Sequence, residues 1–157
     1  MTELPTSVSI REVGPRDGLQ NEDPVSTADK IRLLDALSQT GLRRIEAVSF
    51  VHPKAIPQMA DADEVWAGAT RAEGVRYSAL VPNSRGAQRA LAAGFTEIEV
   101  VVSASDTHNR RNINRPTAES LDEIAGPKNN LPFFAELLEN PEFLSGDYDT
   151  GIVARMR

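Results

Sequence analysis

Apolar and polar positions alternate along Ser7–Glu12, with Val8, Ile10 and Glu12 on one side and Ser9 and Arg11 on the other. That pattern predicts a strand. Gly14 and Pro15 interrupt it, and Gly18 is placed for a sharp reversal of the backbone. The spacing then changes to that of a helix. Ser26-Thr-Ala-Asp29 has the form of a capping start, Ile31, Leu34 and Leu37 fall on one stripe widened by Leu33, and Gly41 closes the element. Arg44–Phe50 is predicted as the second strand, followed by a short helix from about Ile56 to Ala69. Val75–Val81 is the third strand, and Pro82-Asn-Ser opens a helix that ends at Gly94. Thr96–Ser103, rich in β-branched residues, is predicted as a buried fourth strand. Strands that alternate with helices imply a parallel sheet in an α/β fold.

The texture changes after Ala125. Three of the five phenylalanines lie beyond it, a helix fits Pro132–Glu139, and Asn140-Pro141 ends that helix. Two parts are therefore expected, residues 1–125 and residues 126–157. A net charge of −6 argues against nucleic acid as a partner, because phosphate binding needs a basic surface. No long apolar stretch or signal-like N-terminus is present, so no membrane partner and a cytoplasmic location are expected. The chain has no cysteine, which excludes disulfides, thiolate metal sites and a thiol nucleophile.

The candidate chemistry sits in Glu12-Val-Gly-Pro-Arg-Asp-Gly-Leu-Gln-Asn-Glu22. Arg16 and Asp17 leave the C-terminal end of the first predicted strand together. A carboxylate there can hold a hard divalent cation, and a guanidinium can clamp an oxyanion. A plain surface ion pair on a turn fits the residues equally well. The two histidines, His52 and His108, have no metal-ligand spacing, and both are expected in loops. No Gly-rich phosphate loop or nucleophile elbow points to another catalytic class.

That run, followed by Ile45–Asp61 and by Ser103–Ser120, resembles the N-terminal part of the hydroxymethylglutaryl-CoA lyases. The likeness covers about Val8 to Leu121, with three motifs in the same order. Related metal-dependent synthases and carboxyltransferases share the Arg-Asp core but typically precede it with Asp-Thr-Thr, where this chain has Glu-Val-Gly-Pro. The resemblance implies a divalent-metal carbon–carbon lyase on a TIM barrel, cleaving 3-hydroxy-3-methylglutaryl-CoA to acetyl-CoA and acetoacetate in leucine degradation. It implies Asp17 as a ligand to Mg2+ or Mn2+ and Arg16 as the group that stabilises enolate-like charge. Gln20 and Glu46 become supporting catalytic positions, although Glu46 is equally suited to a structural pair with Arg16 or Arg44. An acyl-CoA is the implied small-molecule partner, with Arg110 and Arg111 either near its phosphates or simply solvated.

A barrel of this kind takes about 200–250 residues or more, and the chain has 157. The expectation is a partial TIM (β/α)8 barrel of about four β/α units plus a short helical tail. The family also uses a His-X-His pair and an asparagine from the second half of the barrel, and a cysteine on a Gly-rich loop. The implied protein is thus lyase-like, truncated and inactive alone. A non-catalytic acyl-CoA-binding module, a half-barrel interaction module and an inert fusion remnant are the alternatives. The stretch from Lys128 to Ile152 resembles the end of a biotin carboxylase domain of acyl-CoA carboxylases, which sets a junction near Ala125 to Lys128. An unpaired edge at Val100-Val-Val102 would also favour self-association.

Overall fold

The computed structural model describes residues 6–123, 131–149 and 151–156. The expected junction at Ala125 to Lys128 lies outside them. Three parallel strands, β1 (Arg44–Ser49), β2 (Arg76–Val81) and β3 (Glu97–Val100), form one sheet in the order β1-β2-β3. Helix α1 (Thr27–Ser38) precedes β1, α2 (Ala62–Gly68) connects β1 to β2, and α3 (Ser84–Ala92) connects β2 to β3. Sequence dictates the ends. Ser26 Oγ accepts the Asp29 N–H to start α1, Asn83 Oδ1 accepts the Gly86 N–H to start α3, and Gly41 turns the chain after α1 at φ +86°. This is an open parallel sheet of β/α units, as the alternation of patterns predicts, and it fits the partial barrel that the resemblance implies.

One face of the sheet packs against the helices. Leu34, Ile45, Ala47, Val65, Ala79, Val81 and Ala90 are buried there around an aromatic cluster. Trp66 stacks on Phe95 at 4.1 Å between ring centroids, and Tyr77 and Phe50 meet these two rings edge-on. Such contacts are worth about 0.5–1.5 kcal/mol each beyond the area they bury. Their polar ends are satisfied. Trp66 Nε1 donates to the Ala93 carbonyl, and Tyr77 Oη donates to Ser38 Oγ while accepting the Ala72 N–H. The opposite face is charged. Glu97 pairs with both Arg11 and Arg44, and Arg11 also pairs with Glu99.

Three expectations change. Ser7–Glu12 is not a strand: only Glu12 pairs with β1, through Glu12 N–H to Arg44 O and Glu46 N–H to Glu12 O. Val8 and Ile10 remain exposed, since no described element covers their side of the segment. The last strand is shorter than Thr96–Ser103 and is not buried. With β2 on one edge and no described strand on the other, Ile98 and Val100 stay partly open to solvent. His108 sits in a helix, α4 (Asp106–Ile113), instead of a loop. Ser105 caps it and an Arg110–Asp106 pair one turn apart supports it.

Helix α5 (Thr117–Glu123) folds back on α4 around Asn109, which is 1% exposed. Asn109 Oδ1 accepts from Ser103 N–H, and its Nδ2 donates to the Arg115 carbonyl and to Ser120 Oγ. The tail holds α6 (Leu131–Glu139), α7 (Pro141–Ser145) and α8 (Ile152–Arg155). Asn140-Pro141 ends α6 as the sequence predicts, and Asn140 then caps α7 through the Glu142 and Phe143 N–H groups.

Candidate functional site

Directly after the Glu12 bridge the chain makes a wide, π-type helical turn over Gly14–Gly18, then a short 3-10 turn over Leu19–Asn21. Turns of this kind are sparse in proteins and occur often at functional sites. The Arg16 and Asp17 N–H groups both reach the Val13 carbonyl, which tightens the loop. Glu12 turns its carboxylate into the loop, where Oε1 accepts the Gly14 N–H at 2.6 Å. A Cβ on Gly14 would meet that oxygen at 2.8 Å, so a side chain here would displace the Glu12 carboxylate from the loop. Gly18 does not supply the reversal expected of it. Its φ of −63° is right-handed and open to any residue.

The four predicted residues come together. Arg16 Nε donates to Glu46 Oε1 at 2.5 Å, and Arg16 Nη1 donates to Asp17 Oδ1 at 2.6 Å. Gln20 Nε2 donates to the same Asp17 oxygen at 3.1 Å. Glu46 is 3% exposed, and its pairing register slips immediately after it, between Glu46 and Val48. An extra residue there re-aims the side chains that follow. Glu46 takes Arg16 as its partner, and Arg44 goes to Glu97. Among the described residues the Arg16 Nη2 group has no partner, so its donors are free for an anion.

Ser49 was not singled out by its sequence. It pairs in register with Leu80, and Glu46 pairs with Ser78, so Ser49 and Glu46 share the face opposite the helices. Among the described residues its Oγ is buried without a hydrogen-bond partner. The only hint in the sequence was alternation from Glu46, which the slip in register disguises. Lys30 was also missed. It is buried in α1 beside Pro15, its Nζ 2.6 Å from both the Gln58 carbonyl and Asp61 Oδ1, and it ties α1 to the segment before α2. Burial works to raise the Asp61 pKa, but hydrogen bonds from Lys30 and Thr27 outweigh it and hold the carboxyl below its ordinary value.

His52 and His108 stay apart from this cluster in their contacts. His52 Nδ1 accepts the Lys54 N–H, and His108 Nδ1 contacts Ser103 Oγ. Arg110 is tied to Asp106 and is exposed, as is Arg111. The described residues contain no group of three or more His, Asp or Glu that could hold a metal ion. Asp17 is one half-exposed carboxylate with an oxygen already shared by Arg16 and Gln20. It can give a cation one ligand, not a site, because affinity depends on several converging oxygens.

A family model described as HMGL-like matches residues 7–126. The chain belongs to the HMGL-like family. The hydroxymethylglutaryl-CoA lyase YngG of Bacillus subtilis is 57% identical over 118 residues, covering 74% of this chain and 40% of that protein. A 3-hydroxy-3-isohexenylglutaryl-CoA/hydroxymethylglutaryl-CoA lyase of Pseudomonas aeruginosa is 52% identical, covering 77% and 41% respectively. Among solved structures, an HMG-CoA lyase of Acinetobacter baumannii in complex with coenzyme A and 3-methylmalate superposes with a TM-score of 0.73 at 40% identity. That match covers 95% of this chain and 45% of the other. The HMGL-like chain thus spans about two fifths of the length of the relatives it matches. The family match ends at residue 126, close to where the texture of the sequence changes. No helix among the described residues is long and apolar enough to cross a membrane.

Proposed function

We propose that this chain carries the first-half recognition site of a hydroxymethylglutaryl-CoA lyase and does not complete the cleavage by itself. The observation that supports it is the convergence of Arg16, Asp17, Gln20 and Glu46 on one loop and strand of an HMGL-like chain. Glu46 and Asp17 fix the guanidinium from two sides, which leaves Nη2 aimed by its partners and not by solvent. A guanidinium held in this way can meet the charge that develops on a thioester oxygen during retro-aldol cleavage, at no cost in reorientation. Gln20 orients Asp17, and Glu46 positions Arg16 from the sheet.

The ligand is an acyl-CoA whose acyl part carries carboxylate and hydroxyl oxygens; the Acinetobacter complex holds its two parts as separate molecules, coenzyme A and the hydroxy-dicarboxylate 3-methylmalate. Mg2+ or Mn2+ would find one protein ligand here, Asp17, and would need the rest from another source. Residues 126–157 are taken as a separate appended part, with a likeness to the end of a biotin carboxylase domain. The cytoplasm is the proposed compartment, and the open edge of β3 is the proposed surface of self-association.

Calorimetric titration with 3-hydroxy-3-methylglutaryl-CoA tests the reading. Saturable binding, weakened about tenfold by Arg16→Lys, is expected, because lysine keeps the charge and loses the planar fork. No binding, or binding unaffected by Arg16→Lys and Gln20→Ala, would remove the site.

A further inference from the structure

We infer that Lys30 and Gln58 are positioning residues, which seat the loop of residues 14–21 so that the Arg16 guanidinium is presented to an anion. The inference deepens the reading of Arg16 given above and rests on it for its functional meaning. It begins with how little ties the loop down. Among the described residues, two hydrogen bonds join residues 13–22 to other elements: Arg16 Nε to Glu46 Oε1, and Gln58 Nε2 to the Glu22 carbonyl at 3.0 Å. The others stay within the loop or reach back to Glu12. One ion pair at the end of a long, rotatable side chain does not fix a backbone, so the loop needs a seat.

Packing supplies it. Pro15 is the buried residue of the Gly14–Gly18 turn and, having no N–H, is held by packing alone. With Lys30, Gln58, Asp61, Ala47 and Val48 it lines a space of about 10 Å³, room for one water at most. The turn therefore rests on Lys30 with no slack.

Lysine is a costly choice for that support. The buried positions of α1 are Lys30, Leu34 and Ser38, a single stripe along the helix, and an apolar side chain at 30 could pack as Leu34 does. The Lys30 side chain is only 7% exposed, and it stands one turn from the N-terminus of α1, where the helix dipole opposes a cation. Two contacts offset this. Its Nζ donates to the Gln58 carbonyl and to Asp61 Oδ1, each at 2.6 Å, and Thr27 Oγ1 donates to the other oxygen of Asp61. An apolar side chain would leave residue 58 untied. The ammonium holds the Gln58 backbone, and the Gln58 side chain then holds Glu22, the residue that closes the Leu19–Asn21 turn. The loop is thus fixed at Pro15, immediately before Arg16 and Asp17, and at Glu22, two residues beyond Gln20. Among the described residues, neither Lys30 nor Gln58 bonds to Arg16, Asp17 or Gln20, so both act through the backbone of the loop.

The Arg16 Nε–H reports on this seat, because its bond to Glu46 holds only while the loop is in place. In NMR of the full chain that proton is expected to exchange slowly with solvent. Gln58→Ala and Lys30→Met are each expected to speed its exchange about tenfold or more, and to weaken binding of 3-hydroxy-3-methylglutaryl-CoA by a similar factor. Tyr77→Phe is the control. It removes a hydroxyl bonded to Ser38 at the other end of α1, so it is expected to lower Tm and leave the Arg16 exchange and the affinity unchanged. Should Lys30→Met fail to fold, Gln58→Ala decides, since Gln58 is partly exposed and lies outside the apolar core. Arg16 exchange that ignores Gln58→Ala and Lys30→Met overturns the inference. So does acceleration that follows Tm alike in all three variants. A natural chain that protects the Arg16 proton, loses that protection in both variants and binds no acyl-CoA removes the recognition reading and upholds the positioning.

Discussion

At the scale of the residue, the pair between half-buried Arg16 and buried Glu46 sets the terms. Removing one partner of such a pair strands the other, which typically costs about 3–5 kcal/mol, whereas replacing both by apolar groups is close to neutral. Arg16→Met is therefore expected to lower the urea midpoint sharply, and Arg16→Met with Glu46→Leu to recover most of the loss. Equal losses in the single and double variants would show that the pair is not coupled. The glycines divide in the same way. Gly41 is held at φ +86°, so Gly41→Ala should cost about 1 kcal/mol or more. Gly18 is right-handed, and a Cβ added there would meet no atom within 4 Å. Gly18→Ala should therefore be neutral or stabilising by roughly a few tenths of a kcal/mol. Thermal unfolding of the two variants checks the contrast.

At the scale of the element, the Lys30–Asp61 contact joins α1 to the start of α2, and Thr27 adds a second bond to the same carboxylate. Because the folded Asp61 carboxyl titrates below its ordinary value of 3.8, its contribution to stability is present above about pH 4. It is lost as the pH falls further, through the folded-state pKa. Denaturation midpoints measured from neutral to acidic pH should fall less steeply in Asp61→Asn than in the natural chain, and parallel curves would contradict the link. Elements whose periodicity reports burial were legible in the sequence: α1 with its Ser26 cap and Gly41 stop, β1, β2 and α3. The Arg16–Asp17 loop stood out as a motif, but its residue types alone fitted a surface ion pair equally well, and the roles came from the resemblance. Ser7–Glu12 and Thr96–Ser103 were over-read, since alternation says which face a strand would bury and not whether anything is there to cover it. The α4 helix was missed because its polar residues carry no apolar stripe. Its order comes from Asn109, whose partners Ser103, Arg115 and Ser120 are visible only in three dimensions.

At the scale of the whole molecule, the chain is an open portion of an HMGL-like barrel with one carboxylate where a metal would need several ligands. Substrate recognition and cleavage then separate. On the proposed function, Arg16, Gln20 and Glu46 serve recognition and charge stabilisation, while cleavage would also need ligands and an acid/base group that the described residues do not bring to Asp17. The most direct measurement is an assay for acetoacetate released from 3-hydroxy-3-methylglutaryl-CoA by the purified chain, with Mg2+ or Mn2+ and with Asp17→Asn in parallel. No metal-dependent release above background is predicted for either protein. Release that requires the metal and disappears in Asp17→Asn would contradict the account, because it would show a complete catalytic site in this chain.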